Sequence, residues 1–357
     1  MKLTSALFAS AALAGGLFAA DAVPTKTVTY RVEQNATLSD IPAGAKHVKF
    51  WVSIPDNERY QDVLDFQAVD VPGKWTVVRD PDRGNRFMLV EVDNPGAASL
   101  TAKVAFTVRR SSVFTEIDPT QVGPITDSLR TLYVEELRTD APHMQATPAI
   151  RKQADAACGT ETNVATQAKL LLGAVADYAN HYSIDPTKPK CGIGDAGDCM
   201  TNAGGCCTDM HSMFIAMARA RGIPARLQMG YRVREANAGK EVDPGYRCWA
   251  EYFVPNYGWV SADVVEADDP KGLGRTRWFT GLTERRIWLN EGREFNLAGR
   301  AITTKRVNTM IIGYAEIDGV EARVLPDDAL ALKAQLTRTV KYTEVVPAAA
   351  PTKVSSN

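Results

Sequence analysis

Gly204-Gly-Cys-Cys-Thr-Asp-Met-His-Ser-Met-Phe-Ile-Ala-Met-Ala-Arg-Ala-Arg-Gly-Ile-Pro-Ala-Arg226 places two cysteines on a glycine-rich turn that opens a helix. Met210, Met213, Phe214 and Met217 fall on one face of that helix, Gly222 is its left-handed stop, and Pro224 follows. Unpaired N–H groups at a helix amino terminus carry roughly half a positive charge and lower a thiol pKa. Cys207 is placed for this benefit and is expected to be a free thiol with a depressed pKa. Asp209 is read as a residue that compensates the helix dipole. His211 lies one turn after Cys207 on the same helix face and is the candidate alternative base.

A second segment completes the constellation. Arg247-Cys-Trp-Ala-Glu-Tyr runs through Tyr257-Gly-Trp-Val to Asp263, sixteen residues after Arg247. With Cys207 placed fifteen residues before Gly222 of Gly-Ile-Pro-Ala-Arg, these segments resemble the transglutaminase-like superfamily of papain-like thiol enzymes, of the bacterial secreted type. In that family the second motif is His-x-Trp-x-Glu with an aspartate at the offset of Asp263. The resemblance implies a Cys-His-Asp site that attacks peptide or glutamine amides and forms a thioester. Here the histidine position is Arg247. Guanidinium stays protonated, so it cannot accept the thiol proton or return one to a leaving amine.

The expected site is thus Cys207, Asp263 and Arg247, catalytically degenerate, with Arg247 paired to Asp263 and its charge stabilising a Cys207 thiolate. Two alternatives stand beside it: an active cysteine peptidase, amidase or transglutaminase that uses His211 or acts without a base, and a peptide-binding or scaffolding module. Trp249 and Trp259 are candidates for the cleft or for the core. A protein or peptide amide is the expected substrate or ligand, and no cofactor is expected. His47 and His143 have no motif around them.

Lys2 followed by the apolar run Leu3–Ala20, with small residues Ala20 and Ala22 at the recognition positions, reads as a secretory signal peptide cleaved near Ala22. The expected location is periplasmic or extracellular, without stable membrane insertion. The formal net charge of −1 with interspersed signs excludes a nucleic-acid footprint. The 6 cysteines would meet an oxidising space and allow fifteen full pairings. Cys191 with Cys199 is the easiest loop to close. Cys206 with Cys207 is unsuited because adjacent Cα atoms lie about 3.8 Å apart. Cys248, next to Arg247 on a strand, is expected to face away from the cleft. With no Cys-x-x-Cys pair and only 4 histidines, no metal site is expected.

The fold class is α+β. From Thr27 to Val113 the apolar residues alternate, as in Val48, Phe50, Val52 and Ile54, with turn-rich breaks at Pro72-Gly73 and Asp93-Asn-Pro-Gly96. That predicts an antiparallel β-sandwich over 23–116. Residues 117–272 form the transglutaminase-like helix-plus-antiparallel-sheet domain. Its first long helix carries Val164, Ala168, Leu171, Val175, Tyr178 and Tyr182 on one stripe, capped by Thr162 or Asn163. A β-containing extension over 273–344 and a disordered tail over 345–357 follow.

Overall fold

The structure, a computed structural model, describes residues 26–190, 192–242, 246–268, 273–322 and 332–345. The proposed signal peptide, Cys191 and all but the first residue of the expected tail lie outside them.

Alternation in the amino-terminal third becomes strands β1 (Thr27–Ser39), β2 (His47–Ser53), β3 (Gln61–Asp70), β4 (Lys74–Arg79), β5 (Arg86–Asp93), β6 (Leu100–Ser111) and β7 (Val113–Phe114). Helices α1 (Asp127–Leu132), α2 (Pro148–Cys158) and α3 (Val164–Tyr178) follow, and Asn163 caps α3 through its side chain. The Tyr178 end is earlier than the apolar stripe suggests, because Tyr182 already belongs to the turn after β8 (Asn180–His181).

The central segment runs α4 (Ala196–Asn202), β9 (Gly204–Gly205), α5 (Cys207–Ala220), β10 (Ala225–Arg232), β11 (Tyr246–Val254) and β12 (Gly258–Ala262). After it come α6 (Arg275–Trp278), β13 (Gly281–Leu282), β14 (Arg286–Glu291), β15 (Tyr314–Ile317), β16 (Val320–Glu321) and β17 (Gln335–Glu344). Three larger sheets result, ordered β17-β1-β6-β3, β16-β15-β2-β5-β4 and β12-β11-β10-β14.

The first two sheets bury Val32, Phe106 and Leu336 against Phe50, Met88 and Val90 as the sandwich core. From the carboxy-terminal stretch, β15 pairs with β2 and β17 with β1, so these strands complete the sandwich, while β14 joins the third sheet. The reason is edge chemistry. Both β1 and β2 would otherwise present open N–H and C=O rows.

The third sheet carries α5 against its face. Every residue of α5 from Cys207 to Arg219 is buried, so the helix is central rather than one-sided. Its core is shared with α2 and α3 through Ile150, Leu171, Leu172 and Val175.

Candidate functional site

The glycine turn is set by space. Gly204 and Gly205 have φ of 147° and 154°, and β9 pairs in parallel with β8. A Cβ on Gly205 would sit 2.6 Å from Asp209 Oδ2, and one on Gly204 2.3 Å from the Asn180 carbonyl. Asp209 closes the start of α5: its Oδ2 accepts from the Cys206 N–H at 2.7 Å and its Oδ1 from the Asp195 N–H at 2.9 Å. The dipole role read from sequence becomes a capping role, and Cys206 rather than Cys207 is the N-cap residue.

Cys207 occupies the first helical position and is a free thiol, 2% exposed. Its pKa is not depressed as expected from the helix terminus. A hydrogen bond from the Cys206 thiol pulls it down, but the bond to Cys248, burial and the charge of Cys248 push it well above the ordinary value. The charge of Arg247 also pulls down and does not decide the outcome.

Arg247 is occupied elsewhere. Its Nε donates to Asp263 Oδ2 at 3.3 Å and its Nη2 to Asp263 Oδ1 at 3.2 Å and Glu266 Oε1 at 3.1 Å. Arg286 on β14 donates to the same two carboxylates at 2.9 and 2.8 Å, and Arg232 on β10 donates to Glu266 Oε2 at 2.9 Å. The Arg247–Asp263 pair expected from sequence is present, within a larger buried network. Asp263 is 0% exposed. Burial alone would raise its pKa, and Arg247 and then Arg286 overcome that and hold the carboxyl well below the usual range.

His211 is not placed to act as the base. Its Nδ1 donates to the Cys207 carbonyl at 2.6 Å, and its Nε2 accepts from the Val264 N–H at 3.1 Å. Both ring nitrogens are engaged with backbone, and burial, with Arg247 adding to it against the opposing pull of Asp263, lowers the pKa to about 4. The imidazole is neutral and ties α5 to the segment after β12.

Cys248 does not face away. Its Sγ lies 3.6 Å from Thr208 Oγ1 and 3.5 Å from His211 Nδ1, on the first turn of α5. Tyr246, two residues earlier, approaches the same turn: its hydroxyl is 3.3 Å from Cys206 Sγ and 3.3 Å from Thr208 Oγ1. Among the described cysteines none is bridged, and Cys199, one end of the loop easiest to close, is a buried free thiol.

Trp249 and Trp259 come together, but not beside Cys207. With Trp288, Arg226, Glu251 and Glu291 they surround a cavity of about 280 Å³. Arg226 stacks on the Trp259 ring at 4.0 Å and pairs with Glu251 at 2.8 Å. By contrast, the hollow over the start of α5, lined by Ile193, Thr208, Tyr246, Thr309 and Ile311, has a volume of about 20 Å³. That is room for one water, against the roughly 300 Å³ lower end of ligand pockets.

Residues 151–264 match the family model of the transglutaminase-like superfamily. The chain carries a transglutaminase-like domain. An uncharacterised protein of Haemophilus influenzae is 26% identical over 318 residues, covering 78% of this chain and 83% of that one. A candidate cysteine protease from Cytophaga hutchinsonii overlays with a TM-score of 0.62 at 16% identity, covering 92% of this chain and 94% of that one. The shared fold therefore extends beyond the transglutaminase-like domain into the sandwich. The periplasmic domain of TgpA from Pseudomonas aeruginosa covers 71% of this chain and 92% of that one at 16% identity, with a TM-score of 0.32.

Around this transglutaminase-like site the structure adds residues that sequence reasoning missed. Glu266, Arg286 and Arg232 come from separate segments, and no spacing links them to Arg247. His181, also missed, pairs with Gly205 across β8 and β9. Its Nδ1 accepts from the Ser183 N–H at 3.2 Å and lies 2.7 Å from Ser183 Oγ. Burial first, and then the charge of Arg247, lower its pKa to about 4. Among the described residues no His, Cys, Asp and Glu cluster could hold a metal ion. His47 pairs with Asp93 at the surface, and His143 lies between Asp195 and Glu294.

Proposed function

We propose that this is an exported transglutaminase-like protein whose thiol site no longer performs acyl transfer. The observation that carries the reading is Arg247, held by Asp263 and Glu266 where the family places its histidine. A permanent cation committed to two carboxylates moves no proton. Cys207 is buried, and its thiol pKa is raised well above the ordinary value, so it stays protonated. Neither His211 nor His181 offers a substitute base, since His211 has both nitrogens on backbone and His181 has Nδ1 on Ser183. Transglutaminase-like proteins act on protein or peptide substrates, so a peptide is the ligand class this cleft descends from. Export rests on the apolar leader, and no helix among the described residues is long and apolar enough to cross a membrane.

A peptide-binding role has one observation in its favour. A cavity of about 680 Å³, lined by Glu135, Glu136, Arg138, Arg219 and Arg293 among others, offers alternating charges on a scale that fits a peptide segment. The test of the main reading is hydrolysis of peptide and glutamine amides and incorporation of a primary amine, with Cys207→Ala as control. Wild type is expected to match the control. Arg247→His restores a group able to exchange the thiol proton, and a positioned base contributes roughly 10² to 10⁴-fold, so this variant is expected to exceed both. Wild-type turnover that vanishes in Cys207→Ala would overturn the reading.

A further inference from the structure

We propose that Cys207 and Cys248 form a reversible disulfide between α5 and β11, a redox modification site built on the old nucleophile. The geometry carries it. Cys248 Sγ reaches the first turn of α5, close to Thr208 Oγ1 and His211 Nδ1, the residues one and four positions after Cys207. Both thiols are unbridged, and the Cys207 thiol pKa is raised by Cys248 acting as its hydrogen-bond partner. Closing an S–S bond of about 2.05 Å from such contact needs a local rotation, whereas cysteines with Cα atoms more than about 7 Å apart need backbone movement.

The competing partners are poorer. Cys206 touches Cys207 but is its chain neighbour, with Cα atoms closer than disulfides accommodate. Cys158 is across the helical layer, with its Sγ on the Gln167 carbonyl at 3.9 Å. The reaction is thiol–disulfide exchange. One cysteine thiolate attacks the disulfide of a protein disulfide oxidant or of glutathione disulfide and expels one thiolate. The other cysteine then attacks the mixed disulfide and expels the second. Two S–H bonds are lost, one S–S bond forms, and two electrons and two protons pass to the oxidant, which leaves as two thiols.

Burial slows attack in the folded state, so the bond forms through local opening or during folding. The oxidised form removes Cys207 as a nucleophile and staples α5 to the sheet, and this structure is the reduced form. The inference rests on the proposed export only for the natural source of oxidant.

The test uses the purified full chain, refolded in a glutathione redox buffer, then denatured, alkylated without reductant, digested and weighed. A Cys207–Cys248 cross-linked peptide is expected in wild type. It should persist in Cys206→Ser and Cys199→Ser and be absent from Cys248→Ser. Oxidised wild type should melt several degrees above the reduced form, a gap that closes in Cys248→Ser. Alkylation of both Cys207 and Cys248 after oxidation, or linkage of Cys207 to another thiol instead, overturns the proposal. Because the readout is mass and melting, a cytosolic location or measurable turnover would contradict the proposed function and leave this result standing on its own.

Discussion

Arg247 keeps its charge at any pH the fold survives, and its partners show where that charge is spent. Asp263 would orient an imidazole in an active site of this family; here it receives two arginines, with His211 Nε2 at 3.5 Å from its Oδ1. Breaking such a buried network by removing one partner typically costs about 3–5 kcal/mol, so Arg247 belongs to stability as well as to the proposed loss of chemistry. His211 gives this scale a pH signature. Its folded pKa of about 4 lies below the ordinary 6.5, so as pH falls the unfolded chain takes up the proton first. The stability it contributes is complete above 6.5 and is lost between 6.5 and about 4, amounting to roughly 3 kcal/mol. His181, whose folded pKa is also about 4, contributes in the same window. Urea unfolding is expected to show the decline, and His211→Gln is expected to reduce it without abolishing it; equal slopes in both proteins would contradict the assignment. Asp263 loses its own contribution only at lower pH, since its folded pKa lies far beneath the window.

At the scale of elements, α5 was the most legible feature of the chain. Its glycine start, apolar face and Gly222 stop are local signals, and the structure has the helix at Cys207–Ala220 with Gly222 at φ 74°. What the local pattern did not carry was the environment: against the pull of Cys206, the hydrogen bond with Cys248 and then burial on all sides push the first thiol of the helix upward. The direction of Cys248 was misread for a related reason. The alternation rule gives opposite faces to neighbours on β11 but not which face meets α5, and that depends on where Asp263, Glu266 and Arg286 converge. The glycine turn tests this scale. Gly205→Ala introduces a Cβ against Asp209 at a backbone angle that side chains rarely adopt. It is expected to lower stability by about 1–3 kcal/mol or more in denaturant unfolding and to loosen the start of α5. An unchanged midpoint would show that the turn relaxes freely.

Across the whole molecule, the α+β class and the order of sandwich before thiol domain could be read from periodicity, because strands of period two and helices of period 3.6 leave distinct patterns. The return of β15 and β17 to the first sandwich could not, since strand pairing over some 300 residues leaves no local trace: Asn35 lies opposite Thr339. Removing everything after Gly313 would open β1 and β2 and expose Val32, Phe50 and their neighbours. The truncated chain is expected to aggregate or to lose cooperative unfolding, and a monomeric product melting like the full chain would contradict the closed sandwich. The buried arginine network likewise joins β10, β11, β14 and the segment after β12, and so appears only once the sheet is assembled. It leads to the central claim, that Cys207 is a neutral thiol facing a cation already committed to carboxylates. The most direct measurement is thiolate ultraviolet absorbance of wild type minus Cys207→Ser as pH is raised. No Cys207-dependent signal is expected near neutral pH, with ionisation only above the ordinary thiol value of 9.0. A Cys207 thiolate already present at neutral pH would contradict the account.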